Sequence, residues 1–193
     1  MLAPNLELRV GRWIDFLAQA MAWGGGCILA AISLMTVVSI VGRGLDGLGL
    51  GPVTGDYELA AIGTAIAVFG FMPWCQLRRG HVTVDIFTGR LPSRIHAGFG
   101  FLGDVLITVS SAVILRQLWF GFAEKYPHGS DAFRGALGMG YKPFFAETTY
   151  ELQIPVWIPY LAALCGSALF LMVSLYTCWR SLNWVIAGEE KAA

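Results

Sequence analysis

The chain has 193 residues, 56% of them hydrophobic and only 13% charged, with a mean hydropathy of +0.62. Thirteen basic and thirteen acidic residues cancel, so no global field draws in nucleic acid. A soluble domain carries about twice that charge, so the composition points to a few membrane spans with short connections and no separate soluble domain.

The first fifteen residues carry Arg9 and Arg12 and lead into an uncharged run over 16–41. A cleavable signal peptide has an apolar region of only about 7–15 residues, so this run reads as a first span that stays. Ala22, Gly26 and Ala30 recur every fourth residue, a small-residue stripe that lets another helix approach. A Gly-rich connection follows over 43–58.

The second span, 59–77, is the most clearly written. Asp56 and Glu58 precede nineteen residues without a formal charge, and Arg78-Arg79-Gly80-His81 follows. Nineteen helical residues at about 1.5 Å each cover close to the ~30 Å hydrocarbon core. Ala60, Gly63, Ala67 and Gly70 lie along one face, and Pro73 is expected to kink or end the helix in its last turn.

Between spans 2 and 3, Val82, Val84 and Ile86 alternate with Thr83 and Asp85. An isolated strand there would leave backbone groups unpaired, so a short interfacial helix is expected. His81 and Asp85 are four apart and would pair on such a helix. The third span, 97–122, holds Asp104 about five residues from its middle. An acid at the centre of a span costs about 3 kcal/mol, so Asp104 is expected to face protein or water.

The longest polar segment, 124–153, mixes Gly and Pro breakers with Tyr141, Phe144, Phe145 and other aromatics, and reads as a folded loop or a docking surface. The fourth span, 154–179, opens with Ile-Pro-Val-Trp-Ile-Pro-Tyr. Pro155 fits a helical first turn, while Trp157 and Tyr160 suit an interfacial belt. With both termini inside, eight Lys and Arg residues fall inside and five outside, which makes the termini cytoplasmic by the positive-inside rule.

No phosphate loop, nucleophile triad or metal-ligand spacing occurs, so no catalytic, cofactor or metal residue is assigned. The four cysteines form no C-x-x-C pair and read as small buried hydrophobes. A carrier shows several intramembrane charges or broken helices in repeated halves, and here Asp104 stands alone. By itself the chain is a poor transporter and a good packing partner.

Three blocks now carry a resemblance. Glu58–Phe71 with its Phe-Gly-Phe, Arg78–Asp85 (RRGHVTVD) and Glu151–Tyr160 (ELQIPVWIPY) resemble the small, DctQ-type membrane subunit of tripartite ATP-independent periplasmic (TRAP) transporters. The likeness covers all four spans in order, although 124–149 is longer than the loop usual in that family. It implies a bacterial inner-membrane complex in which a periplasmic substrate-binding protein delivers solute, commonly an organic acid, to a large elevator-type subunit. That subunit carries the solute with sodium, so no cofactor is expected in this chain. The small subunit is implied to be a scaffold in the lipid beside it.

The resemblance marks Glu58, Arg78, Arg79, Gly80, His81, Asp85, Pro155, Trp157 and Tyr160 as subunit-contact or structural positions. Asp104 joins them from the span reading, and Tyr141, Phe144 and Phe145 are candidates for docking the binding protein. The fold class expected is an all-α integral membrane protein, a single membrane domain over 1–193. The rivals are a four-helix membrane redox or anchor subunit of another complex, and a self-sufficient small transporter or channel.

Overall fold

The computed structural model describes residues 4–80 and 93–187, and every long element among them is helical. Helix α1 covers Pro4–Gly44, α2 Asp56–Leu77 and α3 Ser93–Lys125. A short α4, Asp131–Ala136, precedes α5, Trp157–Ala187. In lipid only a helix or a closed barrel satisfies its own backbone, and four of these helices are long and apolar enough to span. The chain is an all-α, multi-pass membrane protein. The interfacial helix expected between spans 2 and 3, with His81 and Asp85, falls outside the described residues.

The helices overrun the apolar stretches that announce them. At 41 residues α1 is about 60 Å long, roughly twice the hydrocarbon core, so part of it stands outside the membrane. The 22 residues of α2 make about 33 Å and fit the core closely. Helix α2 therefore gauges the depth of everything packed on it.

Helices α1 and α2 run antiparallel with a step of seven residues. Ser39 bonds Asp56, Ile32 covers Gly63, Gly25 meets Gly70, and Ala18 clusters with Leu77. Seven residues are two turns, the repeat of a left-handed helix pair. Lipid is as apolar as leucine, so the pair holds by close packing and not by expulsion of water. A Cβ on Gly70 would stand 3.1 Å from the Met21 carbonyl oxygen, and one on Gly25 3.1 Å from that of Ala67.

The contact stripe on α1 differs from the one the sequence suggests. A Cβ on Gly26 meets nothing within 4 Å, and Ala30 is exposed. The four-residue repeat Ala22–Gly26–Ala30 drifts off the interface, whereas the seven-residue repeat through Gly25 stays on it.

Pro73 does not end the helix, because α2 runs through it to Leu77. Proline withdraws the N–H that the Phe69 carbonyl would accept. Helix α5 lays Gly166 against that carbonyl, where an added Cβ would come within 2.8 Å. Farther along, Tyr160 of α5 packs beside Gly121 of α3, and the Thr108 hydroxyl donates to the Ser174 carbonyl at 3.1 Å. The long helices thus stand in a row, α1–α2–α5–α3, with α1 also touching α5 through Gly11 and Tyr176. Each edge helix is covered mainly from one side.

Gly70→Leu should lower the melting temperature of the detergent-purified chain, because over-packing costs about 1–3 kcal/mol. Gly26→Leu should leave it within error. Equal melting of the two variants would refute the Gly25–Gly70 seam.

Candidate functional site

The polar groups gather in three places, two of them at opposite ends of α2. At the Arg-rich end, α2 closes with Gly80 N–H on the Cys75 carbonyl at 2.8 Å and Arg79 N–H on that of Gln76 at 3.2 Å. This is a Schellman cap, whose left-handed position usually takes glycine. Here Arg79 takes it, at φ 49°, a conformation that costs an L-residue about 1 kcal/mol or more. The turn throws the Arg79 side chain back toward the bundle, where its Nη2 meets Asp104 Oδ2 at 3.1 Å. Its guanidinium also lies over the Trp184 ring, 4.7 Å from the centroid.

Gln76 completes this network. Its Nε2 donates to Asp104 Oδ1 at 3.0 Å and to Thr177 Oγ1 at 2.8 Å. Asp104 is 5% exposed and Gln76 1%, so three helices meet on a buried polar cluster. Because Arg79 follows the end of α2, Asp104 sits near the membrane boundary and not near mid-depth. Arg78 turns the other way, pairing with Asp15 of α1 at 3.0 Å and lying over Trp74.

At the other end, Glu58 reaches across 93 residues of sequence. Its Oε1 accepts the Glu151 N–H at 2.7 Å and its Oε2 that of Leu152 at 3.1 Å. These amides belong to a tight reversal, in which Thr149 N–H bonds the Ile154 carbonyl and Val156 N–H that of Glu147. Gln153 turns through a positive φ, and Pro155 bridges to Thr148 before α5 begins. Two blocks of the family resemblance, Glu58 and Glu151–Pro155, are therefore one contact. Beside it, Asp56 is held by the Ser39 hydroxyl and by Arg43 of α1.

The third place is a knot that sequence reasoning missed. Arg134 of α4 is 1% exposed and forms no ion pair among the described residues. Its guanidinium donates to six backbone carbonyls, those of Ala123, Tyr126, His128, Met139, Gly140 and Tyr141. Ala123 lies in the last turn of α3, where the helix dipole favours a cation. One side chain thereby fixes 123–141. The legible signal was glycine, since Gly129, Gly138 and Gly140 all adopt positive φ around it. The carbonyls themselves carry no sequence mark.

Trp157 and Tyr160 pack inward under this knot. Trp157 meets Tyr126 edge-on at 5.4 Å between centroids, and both residues join Phe122 and Met139 in one cluster. Outward stand Tyr141 at 99% exposure, Phe144 at 92% and Phe145 at 78%. The loop is a built platform with bare aromatic rings on it. Among the described residues no group of three or more His, Cys, Asp or Glu side chains gathers as metal ligands would.

Residues 32–183 match the family described as tripartite ATP-independent periplasmic transporters, DctQ component. No curated protein and no solved structure matches the chain.

Asp104→Ala should destabilise the purified chain by about 1–3 kcal/mol, since it removes the carboxylate that accepts one Gln76 N–H and pairs with Arg79 Nη2. Arg134→Met should act locally instead, raising the rate of limited proteolysis within 126–141 about tenfold while the spans keep their melting temperature. Unchanged cleavage kinetics in the Arg134 variant would show that the guanidinium does not hold the loop.

Proposed function

The chain belongs to the DctQ component family of tripartite ATP-independent periplasmic transporters, a family of transporter components and not of enzymes, and from this we infer that it braces a moving partner. It is a small membrane subunit of such a transporter. Its partners in this reading are the large membrane subunit and a periplasmic substrate-binding protein. The complex lies in the bacterial inner membrane, with both termini of this chain cytoplasmic. The large subunit moves an organic acid or similar solute by an elevator motion coupled to sodium, and this chain holds neither.

The observation that carries the reading is the row of helices. Four helices side by side, about 8–10 Å between neighbours, make a wall and not a closed bundle. On α3, Phe99, Leu102, Leu106, Val109 and Val113 are all exposed, an apolar stripe at three- and four-residue spacing. The polar groups of the spans are engaged with one another: Asp104 with Gln76 and Arg79, Glu58 with the 147–156 turn. Such a wall resists tilting beside a domain that travels through the bilayer. Of the site residues, Glu58, Arg79, Asp104, Pro155, Trp157 and Tyr160 hold the wall together. Arg78 ties α1 to the end of α2, and Gly80 closes its cap.

The platform at 123–145 serves to dock the binding protein through Tyr141, Phe144 and Phe145. Replacing these three by Ser, Ala and Ala spares the backbone carbonyl of Tyr141 that Arg134 holds. The triple variant should co-purify with the large subunit as the parent does, while binding-protein-dependent uptake falls about tenfold or more. Uptake at the parental rate would remove the docking role. Full uptake by cells lacking this chain altogether would remove the brace.

A further inference from the structure

A cleft of about 370 Å³ opens at the Arg-rich end, between the first turns of α1, the end of α2 and the last third of α5. Arg12, Asp15, Arg78, Tyr176 and Arg180 line it. Among the described residues Arg12 and Arg78 have the single carboxylate of Asp15 between them, which leaves one guanidinium charge over for a ligand. We propose that this cleft seats the phosphodiester headgroup of an anionic phospholipid, held by Arg12 and Arg78.

Charge, depth and surroundings each support that ligand. The Asp15 carboxylate is 3.0 Å from Arg78, and Arg12 is exposed with no ion pair among the described residues. Arg180 is fixed at the back by its bond to the Leu77 carbonyl at 3.1 Å. Helix α2 measures the core from Asp56 to Leu77, about 33 Å, so Arg78 lies where lipid phosphates begin. Basic pockets between spans at that level are suited to acidic headgroups. The volume is that of a small-molecule site and far exceeds what one bare ion needs.

Next to the cleft on α1, Trp13, Phe16 and Leu17 are 71%, 63% and 44% exposed, an apolar and interfacial surface for the acyl chains. Gly11 contributes the missing side chain, since any Cβ there would strike the Tyr176 hydroxyl. The α1 half of the site lies before residue 32, outside the family match, so the inference does not depend on the transporter reading.

The test uses the full chain in detergent, titrated with phosphatidylglycerol, phosphatidylcholine or inorganic phosphate. Native mass spectrometry reads retained lipid, and thermal unfolding reads stability. Phosphatidylglycerol should be retained and should raise the melting temperature. Either Arg12→Gln or Arg78→Gln should weaken that response roughly fivefold and the double variant roughly 25-fold, at about 1 kcal/mol for each basic residue. Arg43→Gln removes an equal charge at the opposite end and should change nothing in lipid retention.

Equal retention by the double variant, or phosphatidylcholine held as well as phosphatidylglycerol, would overturn the site. Inorganic phosphate stabilising the chain as strongly as the lipid would overturn its assignment to a headgroup. Both arginines are exposed, so lipid-free melting is expected to survive. Were the double variant unfolded, Arg12→Gln alone decides on the same criteria.

Discussion

Everything at the Arg-rich end depends on two N–H bonds from one amide. Gln76 sits 1% exposed at the end of α2, with Asp104 of α3 on one hydrogen and Thr177 of α5 on the other. A carboxylate taken out of water is costly unless every lone pair finds a donor. Gln76 and Arg79 supply those donors from the same helix end, and in doing so fix the height and rotation of α3 against α2. Helices α2 and α3 have no close packing along their lengths, so this polar bridge and the intervening α5 set their relative position. Apolar packing in lipid is non-directional, and one buried network supplies the register that it lacks.

The strain at Arg79 makes sense in that light. A glycine in the left-handed position would relax the Schellman cap but would carry no charge to Asp104. The chain accepts a cost of about 1 kcal/mol in the backbone and recovers it in an ion pair with little exposure and a stacked Trp184. Glu58 plays the same part at the far end with neutral partners, binding two amides of the turn that launches α5. Helix α2 is therefore clamped to α5 at both ends. Two clamps about 30 Å apart oppose both sliding and splaying, which one clamp does not.

Much of this was legible in the residues, for a physical reason. Apolar runs of bilayer length announce spans because lipid tolerates little else, and all four helices follow them. Asp104 declared itself because a lone acid in such a run must find a partner. The partner was not legible, since Gln76 looks like any polar residue near a helix end. Glu58 and Glu151–Leu152 stood out separately, and 93 residues hid that they touch. The helix seam was misplaced by one residue because Gly24, Gly25 and Gly26 are equivalent until the repeat is known to be seven. Arg134 was invisible for a different reason: its six partners are backbone carbonyls, which every residue owns.

Arg134 also explains how bare aromatic rings can stand on this surface at all. Tyr141, Phe144 and Phe145 stay largely exposed, Phe144 meeting Phe145 edge-on, and a slack loop would collapse them onto the nearest apolar face. The loop cannot collapse, because its backbone from 123 to 141 is gathered onto one buried guanidinium and seated on Trp157 and Tyr126. A lysine could not do this, having one nitrogen where arginine offers a planar fork of three. The arrangement spends a buried charge, with no counter-ion among the described residues, to hold a shape. Shape held at that cost, under rings left in the open, is what a surface needs if a partner is to find it already formed.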